Sequence, residues 1–344
     1  MPIETGKTSE DNGLTKTWER EMTMDEKKVL CGAGLLAASA GAASLGAWLT
    51  TKFLVKVAVD REVPRGVEKA GNLLSHTEKN DVFLRELEEA ARRLAAKENE
   101  TVAITARDGV TLVGHFIPCE KPKRIIVAMH GWRSSWTKDF GTMADFWEKN
   151  GCSVLYAEQR GQNNSGGDYM SFGLSERYDV LEWVNWVNNR CGGELPIYLA
   201  GVSMGATTVL MAAGLDLPEN VHGIAGDCGF TSPQAIWKHV ASKNLHLAYG
   251  VRSIMADTLF RQRLQMDTDD YSTLEALRST KLPVLLIHGT DDHFVPVEMT
   301  YENYLACAGP RRLFIVPGAD HGMSYFTDPQ GYEKVVKEFW KDFD

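Results

Sequence analysis

The chain has 344 residues, 44% hydrophobic and 24% charged, with a net charge of −9, enough for one large α/β domain plus additions. No Lys/Arg-rich block is interleaved with aromatic residues, which excludes a nucleic-acid surface. The six cysteines (Cys31, Cys119, Cys152, Cys191, Cys228, Cys307) are scattered without a C-x-x-C spacing, so neither a structural zinc site nor a disulfide scaffold is expected.

Residues 1–28 are polar and of mixed charge and read as a flexible tail. Residues 29–51 carry no charge, and a helix of roughly 20 apolar residues can cross a bilayer. The reading is a single-span anchor and membrane association; a signal sequence and a buried helix are the alternatives. Residues 52–99 follow as a linker region. Within it 80–97 is helical, with Phe83, Leu87 and Leu94 on one face and i,i+4 pairs Glu88–Arg92 and Glu89–Arg93.

The globular part is expected over 100–344. Two β-rich runs, 101–106 and 110–117, flank an Asp108-Gly109 turn. Strands are then expected at 124–129, 153–157, 197–200, 221–227, 284–288 and 312–316. Helices are expected at 140–150, 175–189, 206–214, 297–308 and 330–343. Alternating elements with continuously apolar strands mean a mostly parallel sheet covered on both faces. Residues 230–281 interrupt this alternation, with helical character at 235–244, 248–261 and 272–278. An excursion of that length reads as a small helical cap.

After the 197–200 strand comes Gly201-Val202-Ser203-Met204-Gly205, a G-x-S-x-G sequence opening a small-residue helix. A sharp strand-to-helix turn of this kind exposes a serine nucleophile. A serine hydroxyl needs a base, and the base a third group to orient it. Both are available on loops after later strands. His288-Gly289-Thr290-Asp291-Asp292-His293-Phe294-Val295-Pro296 follows one, and Pro317-Gly318-Ala319-Asp320-His321-Gly322 follows the last. His321 is the histidine placed after that last strand. The N–H of Met204, directly after the nucleophile, is one expected oxyanion donor.

Together His130-Gly131, the elbow, the H-G-x-x-D-x-x-V-P pattern and Asp320-His321-Gly322 make residues 101–343 resemble the α/β-hydrolase superfamily. The likeness is to bacterial serine hydrolases of the esterase and acylaminoacyl-peptidase-like type. The resemblance implies Asp292 as the triad acid, with Asp291 and Asp227 as alternatives. It also implies the N–H of Trp132 as second oxyanion donor, and Arg160 as a brace between loops. Trp132, Trp136 and Phe140 are candidates for an acyl or alcohol pocket or for core packing. His130 lies beside them, as a pocket residue or a brace of its loop. Epoxide hydrolases and dehalogenases of this fold place aspartate where Ser203 stands. The polar loop 158–167 lacks the lysine of a phosphate loop. No metal or cofactor is expected. The function implied is a serine esterase acting on a small-molecule ester; peptidase, amidase or thioesterase activity and a non-catalytic binding role are the alternatives.

Overall fold

A computed structural model describes residues 24–63 and 81–344. The polar tail up to residue 23 and the middle of the linker, 64–80, lie outside the described residues. Two compact units divide the chain, Met1–Leu49 and Thr50–Asp344. In the first, helix α1 begins at Met24 and continues to Val59. It is the one described helix long and apolar enough to cross a membrane, with its best window at Ala42–Val59.

The second unit is built on eight strands: β1 Glu100–Thr105, β2 Thr111–Ile117, β3 Arg124–Met129, β4 Cys152–Ala157, β5 Ile197–Val202, β6 Val221–Asp227, β7 Val284–Gly289 and β8 Arg311–Val316. They form one sheet in the order β1-β2-β4-β3-β5-β6-β7-β8. The first three of these are antiparallel and the rest parallel. All of β3, β4 and β7 is buried, as expected of strands covered on both faces.

Alternate residues feed two cores. Ile125, Val127, Met129, Leu199 and Leu286 pack with helices α5 (Glu176–Cys191), α6 (Met204–Ala212), α9 (Thr273–Ser279) and α10 (Val297–Ala306). Ile126, Ala128, Tyr156, Tyr198 and Leu285 face α3 (Trp136–Phe140), α4 (Ala144–Lys149) and α12 (Pro329–Phe343). The expected helix over 140–150 is thus two short ones, because the chain turns between Phe140 and Met143.

Helix α2 (Asp81–Ala95) packs on the sheet unit: Ala90 and Leu94 are buried, and α2 lies against α3. Lys97 beyond it pairs with Asp145, at 2.8 Å, and with Glu148. The last turns of α1 also belong to the second unit, where Val55 and Val59 are buried. The excursion at 230–281 contributes α7 (Pro233–His239), a π-helical turn at Val240–Asn244, and α8 (Gly250–Leu264) to a third core. Its last helix, α9, instead packs against α6 and α10 and covers the sheet. The cap therefore ends before α9. Phe172, Phe230, Ile236, Leu259 and Phe260 fill the third core together with Val55 and Val59.

Leu94 is 1% exposed. Leu94→Ala should lower the unfolding free energy by about 3 kcal/mol in denaturant titration, the usual loss for a buried leucine. An unchanged midpoint would make α2 a detached spacer after all.

Candidate active site

Ser203 sits between β5 and α6 at φ +56° and ψ −120°. A non-glycine residue there costs about 1–3 kcal/mol, which only the surroundings can offset. They do so by close packing. A Cβ on Gly205 would collide with the Met129 carbonyl, and one on Gly201 with the Gly205 backbone. The Ser203 N–H donates to Asp227 O at 2.8 Å, tying the apex to the end of β6.

His321 lies on the loop after β8, with Nε2 2.9 Å from Ser203 Oγ and Nδ1 2.7 Å from Asp292 Oδ2. Asp292 lies on the loop after β7. Its Oδ1 accepts from the N–H groups of Phe294 and Val295, at 2.9 and 2.8 Å. Its Oδ2 also meets His288 Nε2 at 3.0 Å, and His288 Nδ1 meets Thr300 Oγ1 at 2.7 Å. Burial alone would raise the Asp292 pKa, but the charge of His321 and the bonds from both histidines outweigh it and hold the carboxyl well below its usual range.

Burial opposes the His321 imidazolium, whereas Cys228 and Asp292 favour it, and the balance lies well above the ordinary 6.5. Burial pushes the Cys228 thiol up to about 11, so it is neutral at physiological pH. The negative charge that stabilises the imidazolium is therefore that of Asp292.

The two alternative acids do not reach His321 by hydrogen bond. Asp227 is bonded by Ser324 Oγ at 2.8 Å, and burial pushes its pKa up to about 6. Asp291 is exposed and accepts from Thr290 Oγ1 at 2.7 Å. Ser203, His321 and Asp292 are thus brought together, and Asp227 and Asp291 are left to one side.

The loop after β3 runs past the serine. A Cβ on Gly131 would lie 3.3 Å from Ser203 Cβ. Asp139 takes the Gly131 N–H at 2.6 Å and the Ser134 hydroxyl at 2.5 Å. Gln162 Oε1 takes the Arg133 N–H at 2.5 Å. Between them, the Trp132 N–H donates to no acceptor among the described residues. The Met204 N–H opens α6 and has no partner within that helix. Two backbone donors therefore flank the serine, at the end of β3 and the start of α6.

The three candidate pocket residues lie in the packed interior. Trp136 stacks on His115 at 4.5 Å and packs on Tyr156 at 5.2 Å. Phe140 lies among Trp147 and Tyr156, 1% exposed. Their apolar rings follow the helical spacing of α3 into the core. His130 is fully buried. It accepts the Gln159 N–H on Nε2 at 3.1 Å, and its Nδ1 lies 2.8 Å from Gly131 O. Burial lowers its pKa, so it braces the loop as a neutral ring. Arg160 pairs with Asp179 at 2.5 Å and Asp108 at 2.6 Å, joining the β4 loop to α5 and the β1–β2 turn.

Asp139, Gln162, His288 and Cys228 were not foreseen as site residues. His288 opens the H-G-x-x-D pattern, a signal that was present but carried no role. The other three have no local signature. The donor atoms of Cys228, Asp292 and His321 lie within 4.8 Å of one another. Asp292 already accepts four hydrogen bonds, so a metal there would have to break the chain to His321.

Comparisons with known proteins bear on the fold. The sequence profile of the family described as serine aminopeptidase, S33, matches residues 120–273. Esterase Pf2001 of Pyrococcus furiosus superposes with a TM-score of 0.58 at 24% identity, covering 73% of this chain and 95% of that one. The chain has the α/β-hydrolase fold. Est1E from Butyrivibrio proteoclasticus, with ferulic acid bound, superposes with a TM-score of 0.56 at 19% identity, over 70% of this chain and 98% of that one. The uncharacterised protein YqkD of Bacillus subtilis is 29% identical over 247 residues, 70% of this chain and 79% of YqkD.

The His321 titration is directly measurable. Its imidazole resonances should titrate above 6.5 in the folded protein. Asp292→Asn, which removes the charge favouring the imidazolium, should move that midpoint down. A wild-type midpoint below 6.5 would contradict the assigned electrostatics.

Proposed function

We propose that this hydrolase is a serine esterase cleaving carboxylic esters of small to medium size through an acyl-enzyme. The observation that carries this reading is the hydrogen-bonded chain Ser203–His321–Asp292 across the loops after β5, β8 and β7. Ser203 Oγ attacks the carbonyl carbon while its proton passes to His321 Nε2. The N–H groups of Trp132 and Met204 hold the oxyanion. Asp292 keeps Nδ1 protonated and stabilises the imidazolium. The tetrahedral intermediate expels an alkoxide, which takes the proton from Nε2. Water then attacks the acyl-enzyme by the same route in reverse, releasing the acid and restoring Ser203.

Apolar surroundings support an organic ester with apolar groups. Phe294 makes an edge contact with the His321 ring at 5.2 Å. Met204 and Trp132 pack into the core shared with Phe172, Phe230 and Trp237. The aminopeptidase profile favours a second reading, hydrolysis of an aminoacyl amide or small peptide on the same machinery.

Ser203→Ala should abolish fluorophosphonate labelling and lower ester turnover by a factor on the order of 10⁴ or more. Labelling that survives in the folded variant would sink the reading. Asp292→Asn should be far more damaging than Asp227→Asn. Ester and aminoacyl-amide turnover measured side by side separates the two substrate classes, with the ester expected to be much the faster.

We also infer that the uncharged run of α1 anchors the protein in a bilayer. Leu45, Trp48 and Leu49 are exposed on its helical surface. Full-length protein should fractionate with membranes. Arginines replacing Leu36 and Ala40 should release it, at about 3 kcal/mol each. Wild-type protein found wholly in the soluble fraction would remove the anchor.

A further inference from the structure

Oxyanion donors work only if they are already aimed when charge develops. Gly131 and Ser134 are fixed by Asp139, and the Arg133 backbone by Gln162. A further set of fasteners comes from outside the sheet. The Arg133 guanidinium donates to the last carbonyls of α1 and the residues after it. Nε and Nη2 reach Val57 O at 3.0 and 2.7 Å, Nη2 reaches Asp60 O at 2.5 Å, and Nη1 reaches Arg61 O at 3.3 Å. The neighbouring indole N–H of Trp132 donates to Ala58 O at 2.8 Å.

Terminal helix carbonyls lack partners within the helix and carry its partial negative charge, so a guanidinium there is matched in geometry and sign. Arg133 itself stands at φ +50°. Its side chain therefore leaves the loop along a path that a relaxed backbone would not provide.

The end of α1 is itself fixed on the catalytic unit. Met170 N–H donates to Val59 O at 2.8 Å, and Arg61 N–H to Asp168 O at 2.7 Å. Asp60 pairs with Arg263 of the cap helix α8 at 2.5 Å. The Arg61 guanidinium reaches Asn163 O at 2.6 Å, on the same loop as Gln162. The residue that offers the oxyanion N–H and the residue after it are thus both held, through their side chains, by a helix end 72 to 76 positions earlier in the chain.

We propose that Arg133 is a positioning residue for acyl transfer: by gripping the C-terminal turn of α1, it aims the Trp132 N–H at the oxyanion. This rests on the serine-hydrolase reading above. The end of α1 is, on this inference, part of the support of the catalytic site and not only a tether.

The test uses the full-length protein. Arg133→Ala should lower kcat by about 10- to 100-fold with KM within about twofold, the scale of a displaced oxyanion donor. Affinity for a boronic acid that mimics the tetrahedral adduct should fall by a similar factor. Amide hydrogen exchange should quicken in residues 130–134. Arg133→Lys, which keeps the charge but not the fork of donors, should recover part of the loss. If Arg133→Ala fails to fold, Trp132→Phe removes the indole bond alone and should give a smaller kcat loss of the same kind. A folded Arg133→Ala protein with wild-type kcat and boronate affinity overturns the inference and leaves the hydrolase reading standing. A wild-type protein without Ser203-dependent turnover overturns both.

Discussion

The contact between Gly205 and the Met129 carbonyl is the constraint on which the rest of the site depends. It lets α6 descend against the ends of β3 and β5, where any side chain at position 205 would collide. That approach forces Ser203 into its left-handed turn and opens α6 with an unpaired Met204 N–H. It also brings the loop after β3 beside Ser203, because β3 and β5 are paired neighbours. The acid and the base then need only modest loops, since β7 and β8 end at the same edge of the same parallel sheet.

The electrostatics follow from burial more than from the number of charges. Asp292 has its side chain out of water, yet all its bonds favour the anion. Asp227, equally buried with one hydroxyl partner, is driven the other way. Two carboxylates near one histidine thereby acquire different character, and only one bonds to it.

Much of this was legible in the sequence, and the reasons are local. The limits of β3 and β6 coincide with apolar runs bounded by charged, polar or glycine residues. Ser203, Asp292 and His321 each sit in a short motif directly after a strand. What was not legible depends on partners distant in the chain. Trp136 and Phe140 follow His130-Gly131 closely enough to suggest a pocket, but helical spacing turns them onto Tyr156 and Trp147. Val55 and Val59 are an i,i+4 pair just beyond the uncharged run 29–51, in a stretch that reads as linker. Nothing local says that their partners are Phe172 and the cap. Arg133 reads as an ordinary loop arginine until the carbonyls of α1 are beside it.

The position of β8 has a consequence for how the molecule comes apart. It is an edge strand, held to β7 alone, and most of it is only partly buried. Edge elements open at lower free energy than the centre of a sheet. The loop that carries His321 hangs from this strand, whereas Ser203 stands at the centre, between β3 and β6. Fraying of β8 therefore withdraws the base from the serine while the rest of the sheet remains paired.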